Sequence, residues 1–403
     1  MAALIAFFVY ILFTIPKIDL VSVGNFNAGI RIDDFMIGIM LFLLLIHAFE
    51  NKKKIIGKIE LRFIYFILIV LVGAIYNSAL FGRGTVLFPL RFLEYFVFFF
   101  MGYVYCKGGG NPYKLIMFVF IANCAVAIMQ KLGIVGGFNV RGYQPDMSER
   151  VIGLTSGPWE LGVILNFATC YFLINAKSTA TRYIVFAVAT VIIFITGSRM
   201  SLLAQIVAMF IYLYSGASLL TALKRAAFII PAVVLIIVYI GDSVVAERSA
   251  SLMSMDNLNS WVNYYDWVYL GDKVPDWSDL GMMSGGDVDA SWSMRGTKWI
   301  YAIKLFLSSP VYYVIGVGAG AFGNALDGGW LRLLTETGIL GLLLFISFLL
   351  AVRKTSRTMN LFVFVLAVNM LMIDIYMSYK VMSMFLFFAG FYVATNRLES
   401  RQN

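Results

Sequence analysis

Apolar runs of about twenty residues recur along this chain, as in Leu61 to Phe81 and Leu331 to Val352, and they constrain its fold more than any other feature. A helix needs roughly 20 consecutive apolar residues to cross the hydrocarbon of a bilayer, whereas a barrel strand needs about 10. Of the 403 residues 61% are hydrophobic and only 13% are charged, an apolar excess that a soluble domain has no core to absorb. The expected fold class is an all-α polytopic membrane protein.

Runs of spanning length place helices at about 2–15, 32–49, 61–81, 87–105, 114–135, 159–175, 183–197, 200–216, 226–241, 330–352, 359–377 and 380–396, twelve in all. Three parts follow: an N-terminal bundle over 1–241, an extracytoplasmic loop subdomain over 242–329, and a C-terminal unit over 330–403. With the amino terminus inside, sixteen of the 31 basic residues fall on short inner segments, among them Lys58, Arg62, Lys107, Arg182, Arg353 and Arg397. That asymmetry sets the orientation and puts both termini in the cytoplasm. Met1 to Ile15 lacks a basic leader and a small-residue cleavage site, so it reads as an uncleaved first helix. The apolar run Trp299 to Ile315 is interrupted by Lys304 and Pro310 and is placed at the outer interface. A crossing there would turn Arg353 and Lys354 outward, against the charge rule.

Cys106, Cys124 and Cys170 all lie in or beside apolar runs without metal-ligand spacing, and His47 is the only histidine. A disulfide framework, a zinc site or a histidine-based triad is not expected, and no metal or other cofactor is assigned. Neither a P-loop nor a cytoplasmic domain is present to bind a nucleotide, and no nucleic-acid partner is expected.

Between Gly241 and Trp299 the chain turns polar, with nine acidic residues from Asp242 to Asp289. All seven tryptophans, at 159, 261, 267, 277, 292, 299 and 330, fall outside or at outer helix ends in this topology. They form an interfacial belt, pack a small subdomain, or cover sugar faces while their N–H groups bond hydroxyls. Arg31, Arg83, Arg91, Arg141, Arg150, Arg199, Arg248, Arg295 and Arg332 lie near the outer surface, against the insertion rule. Arg199 stands out because Thr196-Gly-Ser-Arg199 is a corner so short that its guanidinium sits at the bundle mouth. A planar guanidinium fork matches phosphate oxygens, and several forks together hold a diphosphate; with no nucleotide domain, that phosphate belongs to a lipid.

Asp33-Asp34 reads as a helix N-terminus with Arg31 as local partner, or as a catalytic pair. The run Gly316-Val-Gly-Ala-Gly-Ala-Phe-Gly323 follows no strand and reads as flexible or closely packed backbone. Asp327 is either an N-cap or a general base for a sugar hydroxyl at a cavity rim. Glu336, four residues after Arg332, reads as its structural partner.

Three segments together resemble the C-terminal signature of the Wzy-type polysaccharide polymerase and O-antigen ligase superfamily. They are Arg295-x-x-x-Trp299, Gly316-x-Gly-x-Gly-x-Phe322, and Asp327-Gly-Gly-Trp-Leu-x-x-Leu-x-Glu336-x-Gly338-x-x-Gly341. Ile30-Arg-Ile-Asp-Asp34, the segment Arg150 to Gly162, and Thr196-Gly-Ser-Arg199 agree with it. The resemblance implies a GT-C-like glycosyltransferase in the inner membrane, acting on polyprenyl-diphosphate-linked saccharides at the periplasmic face. It implies donor diphosphate binding by residues matching Arg199 and Arg295, and from their place near the outer surface Arg150 or Arg332 is expected as a third fork. Ligases of the superfamily carry a histidine where this chain has Asp327, and the departure favours a polymerase.

The expected catalytic residues are therefore Asp327, Arg199 and Arg295, and the expected saccharide contacts are Trp299, Trp292, Trp159 and Glu160. The expected reaction moves a growing glycan from undecaprenyl diphosphate to a hydroxyl of an incoming lipid-linked repeat unit. Partners would be the bilayer, the lipid-linked donor and acceptor, and a chain-length regulator and flippase of the same pathway. The alternatives are a ligase, a saccharide transporter with Asp374 as its deep carboxylate, or a nonenzymatic assembly protein.

Overall fold

The computed structural model describes residues 2–16, 19–23, 28–51, 56–81, 87–138, 146, 149–214, 265, 268, 270, 290–323 and 325–402. Helices occur at eleven of the twelve expected positions; the twelfth, 226–241, lies outside the described residues, as does most of the polar stretch before Ala290. The first eight are α1 (Ala2–Thr14), α2 (Ile32–Asn51), α3 (Lys58–Phe81), α4 (Leu87–Lys107), α5 (Pro112–Lys131), α6 (Pro158–Asn175), α7 (Thr179–Thr196) and α8 (Arg199–Tyr214). After the polar stretch come α9 (Ala290–Leu307), α10 (Pro310–Ile315), α11 (Gly329–Val352), α12 (Arg357–Asn369) and α13 (Tyr379–Gln402). Among the described residues, five helices are long and apolar enough to cross a membrane: Lys58–Ala79, Pro112–Lys131, Thr179–Thr196, Gly329–Val352 and Tyr379–Ser400. Shorter apolar helices lie at Ala3–Thr14, Arg199–Leu213 and Arg357–Asn369.

The structure departs from the sequence expectation in three places. First, the chain is not purely helical, because β1 (Asp19–Val23) and β2 (Ala28–Arg31) pair antiparallel from Asp19↔Arg31 to Val23↔Ala28. Second, the helix expected over 359–377 stops at Asn369 and gives way to an irregular connection with a 3-10 turn at Ile375–Met377. External bonds hold that break: the Trp330 N–H donates to the Met370 carbonyl at 3.0 Å, and Asp374 accepts from a neighbouring loop. Third, the run over 299–315 is two helices, because Pro310 has no N–H to continue α9 and instead starts α10 at its first turn.

Helix packing follows the small residues. A β-carbon at Gly390 of α13 would overlap the Phe99 carbonyl of α4, and one at Gly102 of α4 would overlap the Phe387 carbonyl. The two backbones therefore lie in reciprocal contact, the arrangement small residues permit between helices in lipid. Tyr95 near the start of α4 donates to the Met377 carbonyl at 2.8 Å, and Cys106 near its end meets Thr395 at 3.3 Å, so the pair runs parallel. Aromatic rings fill the core around them, including Phe63 against Phe348 at 4.8 Å and Phe167 stacked on Phe362 at 4.4 Å. At Gly338, φ is 70°, which kinks α11 and frees the Thr335 and Glu336 carbonyls for the N–H groups of Val317 and Gly318. The glycine run after α10 thus packs backbone against backbone, and its apolar members form a second small core with α9.

Polar contacts between helices gather toward two ends, while others lie along the bundle, as where Gln205 donates to Thr190 at 2.8 Å. One end gathers Arg397 with Glu60 at 2.7 Å, Asn175 with Thr358 at 2.9 Å, and Arg182 on the Ala176 carbonyl at 2.6 Å. The other gathers Arg31, Glu94, Glu160, Asp327 and Asp374, and it carries the candidate site.

Candidate functional site

One face of α9 and one loop build the centre of the site. Residues 295, 298 and 299 are spaced to share a helix face, and their side chains grip three successive loop residues. Lys298 Nζ donates to the Ala325 carbonyl at 3.1 Å, Trp299 Nε1 to the Leu326 carbonyl at 3.0 Å, and Arg295 Nε to Asp327 Oδ2 at 3.4 Å. From the opposite side, the Asp374 carboxylate accepts from the backbone N–H groups of Leu326 at 2.6 Å, Asp327 at 3.3 Å and Gly328 at 3.0 Å. Asp327 is the one non-glycine residue with positive φ, 59°, among the described residues. That conformation costs an L-residue energy and is tolerated where surrounding contacts impose it. The helix cap of α11 is Gly328 without a side-chain cap bond, so Asp327 does not serve as an N-cap. Its carboxylate is 36% exposed beside an Arg295 that is 26% exposed, so two of the three expected catalytic residues meet at an accessible edge.

Arg332 departs from its expected role. Its side chain is fully buried, with Nε on Glu336 at 3.0 Å, one terminal nitrogen on Asp374 at 2.8 Å and the other on the Gly323 carbonyl at 2.6 Å. Tyr376 adds a hydroxyl to Glu336 at 3.2 Å. The fork is spent on the protein, and Arg332 braces the loop instead of facing a ligand. Asp374, the carboxylate a transporter would need, is likewise consumed by the N–H groups and Arg332.

Arg150 and Arg199 both belong to the α7–α8 corner. Gly197 is left-handed there, and Arg150 lies across it, donating from Nε to the Thr196 carbonyl at 3.0 Å. Arg199, half-buried, opens α8 two residues after Gly197. Glu160 also departs from expectation. Glu160 is buried and accepts from the Ser156 N–H at 2.7 Å, the Ser156 hydroxyl at 2.6 Å and the Ser378 hydroxyl. Its carboxylate holds the first turn of α6, where a negative charge is favoured, and offers no sugar contact. Trp159 packs on the main core. Trp292 lies on α9, and its side chain falls outside the described residues, as do Arg83, Arg141, Arg248, Trp261, Trp267 and Trp277.

A cluster at the start of α2 belongs to the same end. Arg31 is buried, with Asp34 at 2.9 Å, Glu94 at 3.3 Å and Asp33 at 3.5 Å, and it lies over the Tyr379 ring at 4.3 Å. Burial opposes its charge, but Asp33, Asp34 and Glu94 outweigh it and hold its pKa above the ordinary arginine value. Asp33-Asp34 therefore partner Arg31. The connection from Met370 to Lys380 links every part of this end: Asp374 to the Asp327 loop, Tyr376 to Glu336, Met377 to Tyr95, Ser378 to Glu160, Tyr379 to Arg31 and Lys380 to the Leu154 carbonyl.

Sequence reasoning missed Lys298. It is buried to 7% exposure, and burial lowers its pKa against the pull of Asp327 and Asp374. Lys298 lies one turn from Arg295 on the face that Trp299 also uses, but a lysine beside a tryptophan reads as interfacial snorkelling. Among the described residues no group of three or more His, Cys, Asp or Glu side chains is arranged to hold a metal ion. Neither a protein-family model nor a curated protein matches this chain.

Proposed function

We propose that this protein is a polysaccharide polymerase of the Wzy type, a GT-C-like glycosyltransferase of about twelve spans in the inner membrane that works at the periplasmic face. The observation that carries the reading is the meeting of Arg295 and Asp327 at an accessible edge, on a loop gripped from both sides. A cation fork beside a carboxylate supplies the two things that glycosyl transfer from a lipid diphosphate requires: stabilisation of the departing phosphate and an acceptor for a hydroxyl proton.

In the proposed reaction, a hydroxyl oxygen of the incoming lipid-linked repeat unit attacks the anomeric carbon of the growing glycan. The new C–O bond forms as the bond from that carbon to the diphosphate oxygen breaks, and the electron pair leaves on undecaprenyl diphosphate. The hydroxyl proton passes to Asp327. Arg295 touches Asp327 through Nε, so its terminal nitrogens are the ones to face phosphate oxygens, with Arg199 and Arg150 from the α7–α8 corner. Lys298 replaces Arg332 as the further cation. Trp299 has committed its N–H to Leu326, so its contribution to a saccharide is its ring face.

Arg199→Lys, Arg295→Lys and Asp327→Asn test the reading in cells. Loss of one transition-state donor costs about a hundredfold in turnover, so long glycan chains should disappear from the surface in each variant. Parental chain lengths in Arg295→Lys and Asp327→Asn would contradict it.

A further inference from the structure

Asp327 and Arg295, two of the residues proposed for the chemistry, do not orient themselves. Asp327 has a left-handed backbone that an aspartate seldom holds unaided, its side chain caps no helix, and Arg295 reaches it only at 3.4 Å. Asp374 supplies the missing constraint. Both its oxygens are used: one takes the N–H groups of Leu326 and Asp327 and a nitrogen of Arg332, and the other takes the Gly328 N–H. Successive N–H groups turned to one side make a concave anion site, and here the anion is a carboxylate of the protein itself. Lys298 and Trp299 hold the carbonyls of the same loop from the opposite side.

We infer that Asp374 is a positioning residue for Asp327: by binding the three amides of Leu326, Asp327 and Gly328 it imposes the left-handed turn that aims the Asp327 carboxylate at Arg295. The inference deepens the polymerase reading and, for its functional half, rests on it. Asp374 touches no substrate in this scheme. Its charge is balanced by Arg332, which Glu336 shares, and this arrangement explains a buried carboxylate in a membrane protein without any transported ion.

The test uses the full-length protein in lipid nanodiscs and the isosteric variant Asp374→Asn, which keeps volume but loses charge and one acceptor. Hydrogen exchange at the amides of residues 326–328 should accelerate about tenfold to a hundredfold, as expected when charge-assisted bonds are lost. Exchange in α4 and α13 should keep its parental protection, which separates a local effect from misfolding. With a polyprenyl-diphosphate-linked repeat unit as substrate, kcat should fall about a hundredfold, as for a misaimed catalytic group, with KM within about threefold of parental. Parental protection at 326–328 in Asp374→Asn would overturn the inference whatever reaction the protein performs. Lost protection with parental kcat would overturn the link to Asp327. If the parent forms no glycosidic bond, the polymerase reading falls and the exchange result alone decides whether Asp374 positions the loop.

Discussion

Lys298 is a cation held in a nearly buried position. Burial lowers its pKa, Asp327 and Asp374 oppose that shift, and Arg295 and Arg332 add to it. A lowered lysine pKa means that the proton is present at low pH and is lost, as pH rises, earlier than at the ordinary value of about 10.4. If the Lys298 cation helps to neutralise the diphosphate, turnover should fall on the alkaline side below the usual lysine range. Lys298→Arg should move that limb upward, because a guanidinium keeps its proton. An unchanged limb would show that another group titrates. The neighbours of Lys298 were legible in the sequence, since Arg295 opposes the insertion rule and Asp327 follows a glycine run. Lys298 itself was not, because a lysine beside a tryptophan at a helix surface usually reads as interfacial snorkelling.

Elements were legible where lipid dictates them. A spanning segment must satisfy its own backbone bonds, so apolar length alone located α3, α5, α7, α11 and α13 near their observed bounds. The break after Asn369 was hidden, because Met370 to Met377 continues an apolar run and the bonds that hold it open come from Trp330 and from the loop at 326–328. The same limit hid the roles of Arg332 and Glu160, whose partners Asp374 and Ser378 belong to that connection. The contact of α4 with α13 gives a prediction at this scale. Backbone carbonyls stand where a β-carbon would go at Gly102 and Gly390, so Gly390→Leu must part the helices. Overpacking costs about 1–3 kcal/mol, and the thermal midpoint in detergent should fall by several degrees. Gly38, whose β-carbon position is open, serves as control, and Gly38→Leu should leave the midpoint unchanged. Equal midpoints for Gly390→Leu and the parent would refute the packing account.

At the scale of the molecule, the connection from Met370 to Lys380 acts as a hub. It joins the hairpin and α2 through Arg31, α4 through Tyr95, α6 through Glu160, and the Asp327 loop through Asp374. The polar insert stood out in the sequence and its final segment supplies Arg295, Lys298 and Trp299 on α9, but their partners at 325–327 and Asp374 lie farther along the chain, which is why composition alone pointed only to the neighbourhood of the site. The claim that joins all three scales is that this end of the bundle forms a glycosidic bond at the expense of a polyprenyl diphosphate. Reconstituting the purified protein with one defined undecaprenyl-diphosphate-linked repeat unit, and counting both glycan products and released undecaprenyl diphosphate, tests it directly. The account predicts a ladder of products with one undecaprenyl diphosphate released per linkage, both abolished by Asp327→Asn. Movement of the intact lipid-linked unit across the membrane with no linkage formed would contradict it.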